Sequence, residues 1–275
     1  MAFQSLTAGN AVVLGPGGPV GTAWLAGLAA GLRHAGMDLG AADVIVGTSA
    51  GAIVGAILAR GGELDRLATL PAPTGPQRVR TDPARLAEVF ATLGDPGLTR
   101  AEALRRIAPL AVTAATGDEE AAIARMRFLI GGDEWPDQPL LIPSVNLETG
   151  EPTIWDRHGA ASLPQAVAAS IAFPTTAPPI TIAGHRYIDG ALRSGTNMDL
   201  AADAAVLIVA EPMARGPETP EVSAANRVIV RLVPDAEALK AFGPDITDPA
   251  AWTPAYRSGL RQAPDAAHQV RTATS

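Results

Sequence analysis

Apolar positions along this chain fall into short unbroken runs alternating with stretches of helical spacing. NAVVLG (10–15) is a buried-strand pattern, a Gly/Pro turn follows, and GTAWLAGLAAGLRHAG (21–36) has helical spacing, with His34 and Gly36 as its C-terminal signal. DVIVG (43–47) predicts a second strand, and AGAIVGAILARGG a second helix that stops at Gly61 and Gly62. Strand, turn and helix twice over predict a right-handed parallel crossover, hence an α/β sheet.

The pattern changes between 71 and 138. Pro and Gly cluster at 71–76 and 94–97 and separate three predicted helices. The first covers about 82–93, with Thr81 or Asp82 as cap and Pro83 near its start. The second opens on the capping box Thr99-Arg100-Ala101-Glu102. The third runs from about Asp118 to Ile130, with Ile123, Met126, Leu129 and Ile130 on one face. Strand patterns resume as a pair at 140–150 and 152–156. A small helix is predicted at about 163–170, then two strands joined by a tight turn at Gly184 and His185. AAVLIVAE (204–211) and RVIVRLVP (227–234) are further buried strands. From about 235 the chain reads as helices and loops, with a frayed tail after Pro264.

Composition narrows the function classes. With 275 residues and 47% hydrophobic content the chain can bury one large core. A net charge of −7 argues against nucleic acid as a partner, and no basic amphipathic stretch is present to hold an anionic membrane surface. The absence of cysteine removes disulfides and thiolate chemistry, and four scattered histidines give no metal-ligand pattern, so neither metal nor cofactor is expected. The first residues carry no basic region and too short an apolar stretch for a signal peptide, so a cytoplasmic location is the expectation.

The chemistry-bearing candidate is VIVGTSAGAIVGA (44–56). A membrane span needs about 20 apolar residues, and this run is closed by Asp43 and Arg60. GTSAG (47–51) matches G-x-S-x-G, in which a strand-to-helix turn exposes the serine hydroxyl, here Ser49. The competing reading makes Gly51 and Gly55 mere spacers that let a helix sit close on a sheet. A second glycine turn, GPGGPVG (15–21), fails as a dinucleotide fingerprint, because Val20 stands where the third glycine belongs and no carboxylate follows the next strand. Its amides suit an anion instead. Pro16 and Pro19 cannot donate, which leaves Gly17, Gly18, Val20 and Gly21, with Ala50 after the serine. Two uses remain open: an oxyanion hole beside Ser49, if the two turns are neighbours, or a phosphate site in a non-catalytic or nucleotide-binding α/β module using Gly15–Gly21.

The base for Ser49 is not an obvious histidine. His34 precedes the serine, His158 and His185 fall in a loop and a turn, and His268 falls in the predicted tail. The remaining candidate is Asp189 in YIDGALRSGTNMDLA (187–201), the one Asp-Gly pair in the chain, placed just after a strand. It caps a turn on one reading and serves as a base on the other. As a base, a carboxylate of ordinary pKa about 3.9 needs desolvation or a direct short bond to the hydroxyl.

With these residues in view, the chain resembles the patatin-like phospholipase family. The resemblance rests on four ordered segments: GPGGPVG (15–21), GTSAG (47–51), ASIAFPTTAPP (169–179) and DGA (189–191). They are similar to the family's oxyanion loop, nucleophile elbow, Ala-Ser-x-Ala-x-Pro segment and Asp-Gly-Gly/Ala motif. The resemblance implies a three-layer α/β/α sandwich with a mainly parallel central sheet, as one catalytic domain over 1–275 with a helical, lid-like insertion at about 71–138. It implies a Ser49–Asp189 dyad, an oxyanion hole from Gly17, Gly18 and Ala50, motif support from Gly47, Gly51 and Gly190, and an acyl-ester or lipid substrate met without a transmembrane segment. Leu86, Val89, Phe90, Ile123 and Met126 are the candidates for an acyl-chain wall, beside the plainer reading of helices packing on the sheet. One position departs: the family's loop commonly ends in Gly-x-Arg-Gly or Gly-x-Lys-Gly, and this chain has Gly18-Pro19-Val20-Gly21. That difference leaves open how the loop is anchored and whether the substrate is a phospholipid.

Overall fold

The apolar runs become strands of one sheet, and the helical stretches cover it. A computed structural model describes residues 9–70, 83–113, 117–213 and 227–275. Among them the sheet has eight strands: β1 (Asn10–Leu14), β2 (Val44–Gly47), β3 (Leu140–Asn146), β4 (Pro152–Trp155), β5 (Ile180–Ile182), β6 (His185–Asp189), β7 (Val206–Ala210) and β8 (Val228–Leu232). Their order is β5-β6-β3-β2-β1-β7-β8, with β4 paired to β3. The run from β3 to β8 is parallel, whereas β4, β6 and β5 are added antiparallel. Parallel strands are covered on both faces, which is why Ala11 to Leu14 and Val44 to Val46 are apolar without alternation.

The helices are α1 (Gly18–His34), α2 (Ala50–Ala59), α3 (Pro83–Leu93), α4 (Arg100–Thr113), α5 (Glu119–Ile130), α6 (Leu163–Ser170), α7 (Ala191–Ser194), α8 (Ala236–Phe242) and α9 (Trp252–Thr274). On one sheet face Val12, Leu14, Ile45 and Ile142 join Leu25, Val54, Ala169 and Ala263 of α1, α2, α6 and α9 in the main core. On the other face Ala11, Val13, Val46 and Leu207 meet Met198 and Ala201 of a single 3₁₀ turn. Nearer the antiparallel edge, Val145 and Ile188 meet Leu104 and Ala111 of α4. The α/β/α layering with a mainly parallel sheet is therefore as expected.

Several boundaries differ from the sequence reading for identifiable reasons. α1 starts at Gly18 rather than 21, because Pro19 falls in its first turn, where a missing N–H costs nothing. The expected tail after Pro264 is instead the second half of α9, and His268 sits on that helix. Packing overrides the proline: α9 lies on α1 so closely that a Cβ on Gly259 would come 2.2 Å from the Trp24 carbonyl oxygen, and one on Gly27 2.0 Å from that of Tyr256. His185 opens β6, and the turn before it is made by Ala183 and Gly184, both with positive φ. In α5, Asp118 is the cap and Met126 and Ile130 are buried in the main core, so Met126 belongs to packing rather than to an open wall. The capping box of α4 forms as read, the Thr99 amide donating to Glu102 Oε2 at 2.8 Å. Thr81, Asp82 and the 71–76 cluster lie outside the described residues. Among the described residues no helix is long and apolar enough to cross a membrane.

Candidate active site

The two glycine-containing turns leave the carboxyl ends of adjacent parallel strands, β1 and β2, with Leu14 opposite Gly47. The chain crosses from β1 to β2 on one side and later adds β7 and β8 on the other, so the topological switch point, where α/β sheets place ligands, lies at the carboxyl end of β1, between β1 and β7. Thr48 N–H donates to Leu14 O, and Gly51 N–H reaches both Gly15 O and Thr48 O, which staples the turns together. A Cβ on Gly51 would lie 1.9 Å from Leu14 O, and one on Gly47 2.6 Å from Gly51 O. The glycines flanking the serine are thus demanded by close approach.

Ser49 sits between β2 and α2 with φ 53° and ψ −114°, a backbone conformation that costs a non-glycine residue about 1–3 kcal/mol and persists only where the surroundings hold it. Its N–H donates to Ser170 Oγ at 3.0 Å, and Ser170 ends α6 fully buried. The hydroxyl of Ser49 donates to Asp189 Oδ2 at 2.9 Å. Asp189, at the end of β6, is 2% exposed; its Oδ1 accepts the Ala191 N–H at 2.8 Å and its own N–H donates to Ala172 O. Asp189 therefore caps the following turn with one oxygen and faces the serine with the other. Burial pushes its carboxyl up to about 7, against the opposing pull of the Ala191 and Ser49 hydrogen bonds. Gly190 has an ordinary φ of −67°, so it is not there to turn the chain. It is there because a Cβ would come 2.2 Å from Pro143 O.

The glycine loop after β1 keeps fewer free amides than the sequence suggested. Val20 N–H donates to Ile246 O at 3.1 Å and Gly21 N–H to Gly17 O, which removes both from the candidate donors. Among the described residues the amides of Gly17, Gly18 and Ala50 have no acceptor. Gly18 and Ala50 are the first residues of α1 and α2, where unpaired N–H groups and the helix dipole favour negative charge. Where the family carries a cation, the Val20 side chain is fully buried and its amide is tied to Ile246, while Pro212 packs against Gly17. The loop is anchored by apolar contact and a backbone bond.

Among the described residues no histidine hydrogen-bonds to Ser49 or Asp189. His34 pairs with Asp65 at 3.5 Å, and His34, His158, His185 and His268 are all exposed, whereas Ser49 is 7% exposed and faces Asp189. The contribution of the Ser170 hydroxyl escaped sequence reasoning; only its place in ASIAFPTTAPP pointed to it.

A family model described as Patatin-like phospholipase matches residues 12–202. That span holds all four motif segments and well over half of the chain. No curated protein sequence matches the chain. Among solved structures, VipD from Legionella pneumophila is similar over 94% of this chain and 67% of its own, with 14% identity and a TM-score of 0.42. The type III effector protein ExoU is similar over 95% of this chain, with 15% identity and a TM-score of 0.38; the match spans 54% of ExoU's length. By the family match, this chain belongs to the patatin-like phospholipase family of lipid acyl hydrolases.

Proposed function

We propose that the chain is a serine-dependent acyl-ester hydrolase in which Ser49 is the nucleophile and Asp189 its base. The observation that carries the reading is the 2.9 Å bond from the Ser49 hydroxyl to a buried carboxylate whose pKa is near neutral. A carboxylate of ordinary pKa is a feeble base, and one near 7 matches the operating pH. Asp189 takes the proton as Ser49 Oγ attacks the ester carbonyl. The amides of Gly17, Gly18 and Ala50 hold the oxyanion, and the proton then passes to the departing alkoxide. Water attacks the acyl-enzyme by the same route in reverse, releasing the acid and restoring Ser49.

The segment at about 71–138 supplies the cover of the acyl chain. α4 docks on the turn after Asp189, the Arg100 Nε donating to Leu192 O at 2.6 Å. Phe90 of α3 is half exposed and stacks on Phe173 with ring centroids 5.5 Å apart, and Phe173 follows the residue whose carbonyl holds the Asp189 N–H. That ring pair, rather than Met126, supports an acyl-chain contact beside the site.

The test is labelling of folded protein by a fluorophosphonate probe, with turnover of p-nitrophenyl esters and intact phospholipids alongside. Wild type is expected to label and turn over, Ser49→Ala to do neither, and Asp189→Asn to lose roughly a thousandfold or more in kcat. Replacing the four histidines one at a time should leave turnover largely intact. Equal labelling of wild type and Ser49→Ala would sink the reading.

A further inference from the structure

The turns that carry Ser49 and Asp189 converge on a third side chain. Asn197 is fully buried and adopts a left-handed backbone with φ 59°. Its Nδ2 donates to Thr48 Oγ1 at 3.0 Å and to Gly190 O at 3.1 Å, with Gly195 O at 3.4 Å. Thr48 immediately precedes Ser49, and Gly190 immediately follows Asp189. The amide cannot be flipped without loss, because its Oδ1 accepts from Arg193 Nη1 at 2.8 Å, and an NH₂ there would face a cation. Arg193 is in turn gripped by both carboxylate oxygens of Asp199, at 2.8 and 2.6 Å. Thr48 Oγ1, while accepting from the amide, donates its own hydrogen to Thr196 O at 3.2 Å.

Resting on the hydrolase reading above, we propose that Asn197 is a positioning residue: its side-chain amide ties the shoulder of the serine turn to the shoulder of the aspartate turn and so sets the hydroxyl-to-carboxylate geometry. Such a tie matters here for two reasons. The serine backbone is strained and needs surroundings that over-determine it. A carboxylate base acting directly on a hydroxyl also tolerates little displacement, since a misplacement of about 1 Å can cost about a hundredfold.

The bland role for Asn197 is to supply a residue content with positive φ, and glycine separates the two roles because it keeps that conformation and loses the amide. In Asn197→Gly the expected result is a kcat lower by about 10- to 100-fold with KM within about threefold, and a fluorophosphonate labelling rate lowered in step. Thr48→Val removes one acceptor at nearly constant shape and should lower kcat by about tenfold, while Thr48→Ser should return it to within about threefold of wild type. In the double variant Asn197→Gly/Thr48→Val the losses should not add, because both remove one connection. Wild-type kcat and labelling rate in Asn197→Gly, or additive losses, would overturn the proposal. If Asn197→Gly does not fold, the Thr48 pair decides: wild-type kcat in Thr48→Val overturns it. Failure of wild-type protein to label at Ser49 would instead remove the hydrolase reading, and the positioning role with it.

Discussion

Ser49 and Asp189 stand 140 positions apart, yet among the described residues the serine hydroxyl has one side-chain partner, that carboxylate. Desolvation dominates the chemistry of the pair. On the mechanism proposed above, only the ionised form of Asp189, whose carboxyl is raised to about 7, accepts the serine proton. Expected kcat/KM therefore falls as pH drops through about 7 and levels off above it. A pH–rate profile with its acid limb near the ordinary carboxylate value would show that Asp189 is not the titrating base. The neighbouring glycines act through space rather than through φ: Gly51 and Gly190 each occupy a position where a Cβ would collide with a backbone carbonyl.

Among the elements, α9 and α1 illustrate how contact geometry outranks local propensity. Pro264 breaks one helical hydrogen bond, but Gly27, Gly31, Gly259 and Ala263 let the two backbones approach closely enough to hold α9 against the core. Gly259→Ala should push the helices apart and lower stability by about 1–3 kcal/mol, read as a denaturation midpoint, with kcat per folded molecule unchanged. α3 and α4 carry the other element-level expectation. If the Phe90–Phe173 stack contacts the acyl chain, Phe90→Ala should depress kcat/KM about 3- to 30-fold on long-chain p-nitrophenyl esters and leave the acetate nearly untouched. Equal loss on both chain lengths would remove Phe90 from the acyl path.

At the scale of the molecule, the buried carboxylate of Asp189 opposes folding when ionised. The folded pKa of Asp189, about 7, lies above the ordinary 3.8, so the native state binds this proton more tightly than the unfolded chain. The stability this group contributes is fully present below about pH 3.8 and is lost as pH rises through about 7. Asp189→Asn keeps the shape and cannot ionise, so at pH 8 it should melt above wild type, with the gap closing as pH falls toward 4. Thermal melts of both proteins across that range measure it. An Asp189→Asn protein that melts below wild type at pH 8 would mean that the buried charge is stabilised by contacts stronger than its desolvation cost.

Much of the fold was legible because its signals are local. Unbroken apolar runs identify β1, β2 and β7, the first two closed by a glycine, Thr99 and Glu102 mark the start of α4, and GTSAG and the Asp-Gly pair stand out by residue type and spacing. The sequence by itself determined the α/β class and the two turns, and its resemblance to the family singled out Ser49 and Asp189 as a pair. Only the tertiary structure decided that β1 and β2 are neighbours with their turns stapled together. It also decided that Asp189 is buried enough to shift its proton affinity, that Val20 and Gly21 have already spent their amides, and that Pro264 lies within a helix. Each of these depends on contacts between residues far apart in the chain, and neither propensity nor periodicity carries information about which distant surface a residue will meet.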